Sequence, residues 1–265
     1  MTKPNEEHQH LQAVNEHATK KIMKETDGRV MSQAEVAELE ALFANHERVK
    51  AFPVSHPLLD IPASTQAKVV YFVRHAEALH NEAFKIRGRA AYSDPAFLDP
   101  ELTALGIAQC GTLKPSVEAI QDSLDLVVVS PLRRTLMTAA LAFDQRKGTP
   151  WVAHELVRER IGKNTCDKRR ALTEIKQEYP SIDFAHMTHE DDVCWTPHHR
   201  ETPAEMAKRG LIFLEWLRGR PEARIGVVTH SAFLSTLFGE VLDCHEPDMK
   251  RWFENAELRA VRLHL

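Results

Sequence analysis

Two histidines and three arginines stand close behind short apolar runs of the sequence. The runs are rich in valine and other β-branched residues, which predicts buried strands. Because open α/β sheets bind ligands beyond the carboxyl ends of their strands, we expect these side chains to share one crevice. Arginine and imidazole groups in one crevice suit a phosphoryl group, whose oxygens carry negative charge and accept hydrogen bonds. The residues are Arg74 and His75 after 68–73, Arg133 and Arg134 after 125–129, and His230 after 224–229.

The elements that must position these residues alternate between strands and helices from about residue 66 onwards. Such alternation predicts a mainly parallel sheet covered on both faces. The predicted fold class is therefore α/β, a three-layer α/β/α sandwich with a mainly parallel central sheet. The final run at 258–265 alternates apolar and polar residues and predicts an edge strand, whereas the Gly and Pro residues in 84–101 predict a loop.

Helix starts are indicated by N-cap residues. Ser32 and Thr202 each precede a glutamate by three residues, which is the pattern of a capping box. Helices are accordingly predicted over about 32–48 and from Thr202 to about Arg218. Thr103 is a suitable N-cap for a further helix.

The chain divides into an N-terminal extension at 1–65, partly helical, and a domain at 66–265. The extension begins with a polar stretch, 1–31, rich in His, Lys and Glu, which predicts a loosely packed helical tail. The proline-rich segment 52–62 predicts an extended connector. Residues 161–200 lack a clear periodicity and are too many for an ordinary connection, so we expect a functional insertion with short helices.

Composition narrows the class of protein. The chain has 265 residues, 43% hydrophobic and 27% charged, which suffices for one large domain with an extension. Its net charge of −4 disfavours a general nucleic-acid binder, and no apolar run is long enough for a membrane span or a secretory signal. The four cysteines are widely spaced, which predicts reduced, mostly buried thiols and no zinc site. We therefore predict a cytoplasmic protein without nucleic-acid or membrane partners.

Five motifs then give a more specific indication. Residues 74–81, Arg-His-Ala-Glu-Ala-Leu-His-Asn, resemble the signature of the histidine phosphatase superfamily, which includes the cofactor-dependent phosphoglycerate mutases. The resemblance spans about 68–240 and implies the phosphoglycerate mutase-like fold. The sequence of residues 155–170 is similar to that of a plant and microbial branch of phosphoglycerate-mutase-like proteins. The other four motifs, in family order, are 102–106, 130–139, 156–159 and 228–230.

The resemblance implies a catalytic or binding role for individual residues. It implies that His75 is the nucleophile, attacking phosphorus as a neutral imidazole whose other ring nitrogen is held by a backbone carbonyl. Arg74 and Arg134 would bind the phosphoryl oxygens, because a guanidinium can donate two parallel hydrogen bonds. His230 would donate to a phosphoryl oxygen from the opposite side, and Asn81 would be a further donor to phosphate.

Glu159 occupies the position of the family's acidic residue. A carboxyl group beside a phosphate dianion is pushed towards its protonated form, which suits a general acid for the leaving oxygen. Glu155 is the rival candidate for this role. The family pattern assigns its arginine to position 134, so Arg133 is expected to be structural or to lie at the rim. Because the arginines supply positive charge, neither a metal nor a cofactor is expected.

Three functions remain open from the sequence. The first is hydrolysis of a small phosphorylated metabolite. The second is a mutase, in which the insertion closes over the site and Lys168, Arg169 and Arg170 contact an acidic substrate; those three residues could instead be a solvated patch paired with acidic neighbours. The third is a weakened, binding-only scaffold, since Ala76 and Ala78 replace the family's usual Gly and Ser or Thr.

Overall fold

The structure is a computed structural model that describes residues 32–44, 46, 48–54, 67–145 and 148–265. The predicted tail at 1–31 and most of the predicted connector at 52–62 lie outside the described residues. None of the helices within these described ranges is both long and apolar enough to cross a membrane.

Seven strands in the described residues form one sheet. They are β1 (Val49–Pro53), β2 (Ala67–Arg74), β3 (Leu126–Val129), β4 (Trp151–Ala153), β5 (Arg224–Thr229), β6 (Leu242–Cys244) and β7 (Leu258–His264). Their order across the sheet is β4-β3-β5-β2-β7-β1-β6. Strand β7 is antiparallel to both of its neighbours, and every other pairing is parallel. The predicted mainly parallel sheet is confirmed.

Helices cover both faces of this sheet. Those described are α1 (Gln33–Phe43), α2 (Leu79–Arg87), α3 (Ala104–Gln121), α4 (Arg133–Ala142), α5 (Leu172–Glu178), α6 (Pro203–Arg218) and α7 (Ser231–Thr236), and α7 continues as a π-helix (Leu237–Val241). Alternate strand residues point to opposite faces. In β3, Leu126 and Val128 pack into one apolar core with α6, whereas Val127 and Val129 pack into the other with α3 and α4. The three-layer prediction is confirmed.

Strand β7 is not the edge strand that the sequence pattern predicts. It lies inside the sheet, between β2 and β1. The reason is that period-two alternation reports which face a side chain occupies and says nothing about how many backbone edges are paired. Strand β1 covers the second edge of β7, although its residues belong to the predicted N-terminal extension. A domain boundary near residue 65 stays a prediction, but the sheet of the domain includes this earlier strand.

Helix boundaries show which local signals are dependable. The side chains of Ser32, Thr103 and Thr202 all accept a hydrogen bond from the third residue on, as the sequence predicts. Helix α1 ends at Phe43, before the predicted end at 48. The predicted loop at 84–101 is wrong in its first part, because α2 runs to Arg87 and 3₁₀ turns follow it.

The insertion at 161–200 has little regular structure and is held by buried ion pairs. Arg158 is fully enclosed and binds both carboxylate oxygens of Asp192, at 2.8 and 2.6 Å. The backbone N–H groups of Arg169 and Trp195 donate to the same carboxylate. Asp192 therefore joins two parts of the insertion, at residue 169 and at 192–195, to one buried guanidinium.

Replacing Asp192 by alanine should destabilise the protein strongly, because it leaves the buried charge of Arg158 without its main partner. Breaking one side of a buried ion pair costs about 3–5 kcal/mol. Urea unfolding measures the change in the free energy of unfolding. The matched control is Asp191→Ala, since the neighbouring Asp191 is exposed. Equal unfolding midpoints for the two variants would contradict this account of the insertion.

Candidate active site

The candidate site lies where three neighbouring parallel strands end. His75 follows β2, His230 follows β5 and Ser130 follows β3, and these strands are adjacent in the order β3-β5-β2. The backbone pairing continues past the strand ends, since the N–H of His75 donates to the carbonyl of Thr229 at 2.9 Å. The β-branched runs thus bring both histidines to one point of the sheet, as the sequence analysis expects.

The turn after His75 is fixed by the start of α3. The N–H of Thr103 donates to the carbonyl of Glu77, and its hydroxyl donates to the carboxylate of Glu77 at 3.0 Å. Gly106 lies so close to this turn that a Cβ there would be 2.0 Å from the carbonyl oxygen of Glu77. The motif at 102–106 therefore positions the backbone that carries the candidate nucleophile.

The rings of His75 and His230 are near contact. Their centroids lie 5.1 Å apart with the ring planes at 60°. Nδ1 of His75 bonds the carbonyl oxygen of Ala76 at 2.7 Å, which is the carbonyl anchor that the resemblance implies. Since the carbonyl can only accept, the proton is on Nδ1 and the lone pair on Nε2. A tetrahedral anion would have to bind at the edges of the two rings, because no room remains between them.

Burial and positive neighbours keep these imidazoles neutral. Burial lowers the pKa of His75 well below its usual value, and the guanidinium groups of Arg134 and Arg74 lower it further. Burial and Arg134 lower the pKa of His230 in the same direction. A neutral imidazole with a free nitrogen lone pair is the nucleophilic form.

The two candidate phosphate-binding arginines differ in their surroundings. Arg74 lines a cavity, donates from Nη1 to the carbonyl of Phe253 at 2.7 Å and has Nε unpartnered. Arg134 has no exposed surface and donates to the carbonyl of Cys166 and to the carboxylate of Asp167, at 2.7 and 2.9 Å. Arg134 does not line the cavity, so direct contact with a ligand stays a prediction, while its charge acts on the histidines.

Glu159 lies with the histidines, and Glu155 does not. Ligand atoms of Glu159, His75 and His230 all lie within 4.8 Å of one another. Burial and the nearby carboxylate of Asp167 raise the pKa of Glu159. Glu155 instead binds Arg158 and Arg169 at 2.9 and 3.0 Å, away from the cavity. The structure thus places Glu159, and not Glu155, beside the two histidines, and its role in proton transfer stays a prediction.

The same three side chains are the one group in the described part of the chain close enough to share a metal ion. The charges around them argue against a cation, because burial and Asp167 favour the neutral form of Glu159 and two guanidinium groups lie nearby. An anion is the better match to this electrostatic field.

Unpaired hydrogen-bond donors also point to an anion. Among the described residues, eight buried side-chain nitrogens have no hydrogen-bond partner. Four of the eight belong to this site; three of them are donors, and the fourth, on His230, is a donor in one of its two neutral tautomers. Buried donors are seldom left unsatisfied, so their concentration here indicates a ligand rich in acceptor oxygens. The four are Nε of Arg74, Nδ1 of His80, Nε of Arg134 and Nδ1 of His230.

A cavity of about 420 Å³ opens onto His75 and brings in residues that the sequence analysis missed. Asp167 and Arg200 come from the insertion without periodic pattern, and their side chains pair at 2.8 Å. Tyr92 and Trp252 line the same cavity from outside the five motifs. Only His80 could have been found from its position, since it precedes Asn81 inside the first motif.

Asn81 lines the cavity, but its amide already has two partners. Its Oδ1 accepts from the N–H of Ala78 at 3.1 Å, and its Nδ2 lies 3.2 Å from Nε2 of His80. A direct bond from Asn81 to phosphate stays a prediction. Arg133 does not line the cavity and pairs with Glu101 at 3.2 Å.

The three residues of the basic triplet at 168–170 all have partners outside the cavity, and Arg169 contacts the acidic segment 190–192. Arg169 is buried and donates to backbone carbonyls and to Glu155. Arg170 pairs with Asp99 and Glu178, and the ammonium of Lys168 lies 5.1 Å from the ring centre of Trp195. No member of the triplet lines the cavity.

The two alanines that depart from the family pattern fit the backbone. Ala76 is absent from the residues with positive φ, so glycine is not required there. Ala78 is the N-cap of α2 with an extended backbone, φ −112° and ψ 163°. Neither alanine distorts the turn that holds His75.

Comparisons with known proteins agree with this geometry. The sequence pattern of the histidine phosphatase superfamily (branch 1) matches residues 70–264. A "Phosphoglycerate mutase-like protein" of Arabidopsis thaliana is 35% identical over 232 residues, covering 74% of this chain and 84% of that protein. The "Phosphoglycerate mutase-like protein 1" of the same plant is 34% identical, covering 74% and 81%.

A solved structure shows the same fold. The alpha-ribazole phosphatase from Shigella flexneri aligns with a TM-score of 0.50 and 20% identity, covering 72% of this chain and 89% of that one. The superfamily includes phosphatases and mutases, and its members act on small phosphorylated metabolites. From the matched pattern, the identity to these relatives and the shared fold, the chain belongs to the histidine phosphatase superfamily.

Proposed function

We propose that this protein is a phosphomonoester hydrolase that works through a phosphohistidine on His75. The observation that carries the proposal is the neutral imidazole of His75, anchored through Nδ1 to the carbonyl of Ala76 and set among unpartnered donors. Because Nδ1 of His75 is held by the carbonyl, the orientation of its free Nε2 is fixed. The unpartnered donors can bind the oxygens of a phosphoryl group.

The reaction divides into two displacements. In the first, Nε2 of His75 forms a bond to phosphorus, the ester P–O bond breaks, and protonated Glu159 gives its proton to the leaving oxygen. In the second, the carboxylate of Glu159 takes a proton from water, whose oxygen attacks phosphorus while the P–N bond breaks. Inorganic phosphate leaves, His75 is neutral again and Glu159 is protonated again.

The remaining donors stabilise charge during both displacements. Arg74 offers Nε, and Arg134 adds a fixed positive charge beside the histidines. His230, buried and neutral, offers Nδ1–H when the hydroxyl of Ser130, 2.7 Å from Nε2, donates to that nitrogen. These groups are already in place, so little reorganisation is needed as charge develops on the phosphoryl oxygens.

Hydrolysis fits the surroundings better than transfer between two positions of a bisphosphate. A mutase must keep water from the phosphohistidine and bind a second anionic group. The basic triplet that could serve such a group is occupied elsewhere in the fold. The cavity at His75 has room for a leaving group the size of a small metabolite.

A panel of phosphate esters tests the proposal. We expect phosphate release from p-nitrophenyl phosphate and from at least one small-metabolite ester. Incubation with 3-phosphoglycerate, with and without 2,3-bisphosphoglycerate, measures mutase activity, and isomerisation faster than hydrolysis would favour the mutase. Background rates on every ester, equal for wild type and His75→Ala, would favour a binding protein.

Hydrolysis of an alkyl phosphate should be fastest between the lowered pKa of His75 and the raised pKa of Glu159. His75 reacts only when neutral, and because its pKa is lowered, protonation should slow it only well below the usual range of histidine. Glu159 donates only when protonated, and because its pKa is raised, the rate should fall as the pH rises through that raised value. A profile of kcat/KM against pH with glycerol 3-phosphate measures both limits.

The control for this profile is the residual activity of Glu159→Gln. This variant has no titrating carboxyl at position 159, while ionisation of the substrate is unchanged. The alkaline decline should therefore be absent from its profile. A decline of the same shape in both proteins would assign that limit to another group.

A further inference from the structure

His80 is a third buried histidine at the site, and the mechanism above does not use it. It lies on α2, is 5% exposed and lines the cavity. Its ring centre is 6.2 Å from that of His75 and 5.6 Å from that of Tyr92. A side chain this close to the nucleophile can reach a group bound there.

Asn81 determines which nitrogen of His80 has the proton. The N–H of Ala78 can only donate, so the atom of Asn81 that faces it, at 3.1 Å, is the amide oxygen. The amide nitrogen of Asn81 is then the atom 3.2 Å from Nε2 of His80, and it donates to that nitrogen. Nε2 of His80 is therefore an acceptor, and the proton of the neutral ring is on Nδ1.

Nδ1 of His80 is buried and has no hydrogen-bond partner among the described residues. Burial and Arg134 lower the pKa of His80 well below its usual value, although Asp167 acts in the opposite direction. The ring is therefore a neutral donor of fixed orientation. A buried N–H without an acceptor is unfavourable unless a ligand supplies one.

We propose that His80 is a further phosphate-binding residue, whose Nδ1–H donates to an oxygen of the phosphoryl group bound at His75. In this arrangement Asn81 is a positioning residue, because it holds His80 in the donating tautomer. The proposal rests on the proposed function only in requiring an anion at His75, and it does not depend on turnover.

Two replacements of His80 test which of its ring nitrogens binds the anion. The amide nitrogen of His80→Asn can occupy the place of Nδ1, whereas that of His80→Gln reaches the place of Nε2. We expect His80→Asn to bind orthovanadate within about threefold of wild type and His80→Gln to bind it about ten- to a hundredfold more weakly, the usual effect of losing one hydrogen bond to a charged group. Isothermal titration calorimetry measures both affinities, and thermal melting checks that both variants fold. Equal affinities for the two variants would overturn the proposal.

Nitrogen-15 NMR of the histidine rings tests the tautomer without any substitution at position 80. In wild type, Nδ1 of His80 should have the proton, and its signal should shift when inorganic phosphate is added. In Asn81→Asp, a carboxylate can only accept from His80, so the proton should move to Nε2. A wild-type proton on Nε2, or a Nδ1 signal unchanged by saturating phosphate, would overturn the proposal.

These measurements also distinguish failure here from failure of the proposed function. Calorimetry and NMR report binding, so they remain informative for a protein that hydrolyses nothing. An inactive protein in which only His80→Gln loses orthovanadate affinity would refute the hydrolase and support the role of His80. An active enzyme in which both variants bind orthovanadate like wild type would support the hydrolase and refute the role of His80.

Discussion

Replacing His75 by alanine should reduce phosphate release from p-nitrophenyl phosphate on the order of 10⁴-fold or more, because it removes the atom that forms the covalent intermediate. The other groups of the site cannot substitute for it, since Nε2 of His75 is the nitrogen that the Ala76 carbonyl leaves free. Initial rates at saturating substrate measure the loss. Retention of more than about one hundredth of the wild-type rate would be incompatible with a nucleophilic His75.

A matched control is His186→Ala, the same substitution outside the site. His186 is exposed and stacks on His154, with ring centres 4.5 Å apart. We expect wild-type rates from this variant. When wild type reacts with a ³²P-labelled ester and is quenched rapidly without acid, a labelled phosphoenzyme should be trapped. The label should survive base and be lost in acid, because the P–N bond of a phosphohistidine is stable in base and labile in acid. His75→Ala should give no such species, and labelling that persists in this variant would place the covalent bond elsewhere.

Replacing Glu159 by glutamine should slow hydrolysis of alkyl phosphates about 10²- to 10⁴-fold, the usual contribution of a positioned general acid. Formation of p-nitrophenolate should be far less affected, because that leaving group departs without a proton. The measurement is the first turnover, since the burst of p-nitrophenol reports phosphorylation of His75 before water attacks. Equal losses of the first-turnover rate on both esters would contradict the role of Glu159 as proton donor.

We also expect a low steady-state rate from Glu159→Gln. Glu159 also activates water in the second displacement, so the phosphoenzyme should accumulate in Glu159→Gln with p-nitrophenyl phosphate. The control is Glu155→Gln, whose carboxylate binds Arg158 and Arg169 instead of facing the cavity. That variant should be less stable, and any change in its rate should be the same for the alkyl phosphate and for p-nitrophenyl phosphate.

The meeting of the two histidines could be predicted because its signals are local. A β-branched run that ends at a polar residue marks a strand end, and parallel strands place their carboxyl ends at the same edge. His75 and His230 were predicted to meet for this reason, and they do. The hydrogen bond from Nδ1 of His75 to a carbonyl was expected from the resemblance to the histidine phosphatase superfamily, in which the nucleophilic imidazole needs its proton held.

The cavity wall could not be predicted in the same way. Asp167 and Arg200 come from an insertion without periodicity, and buried contacts such as the pair of Arg158 and Asp192 hold that insertion at the site. The role of Arg134 depends equally on the insertion, because the carboxylate of Asp167 accepts hydrogen bonds from both Arg134 and Arg200. Pairings between residues so far apart in the chain leave no repeating pattern to detect.

The sequence by itself determined the alternation of strands and helices, the capped helix starts and the meeting of the two histidines, because each depends on short-range preferences of the backbone. Only the tertiary structure decided that β7 lies inside the sheet, that Arg134 is enclosed by Asp167 and that His80 faces the cavity as a neutral donor. The physical reason is that edge pairing, burial and tautomer depend on which distant groups fill the space around a residue, and spacing along the chain does not specify them.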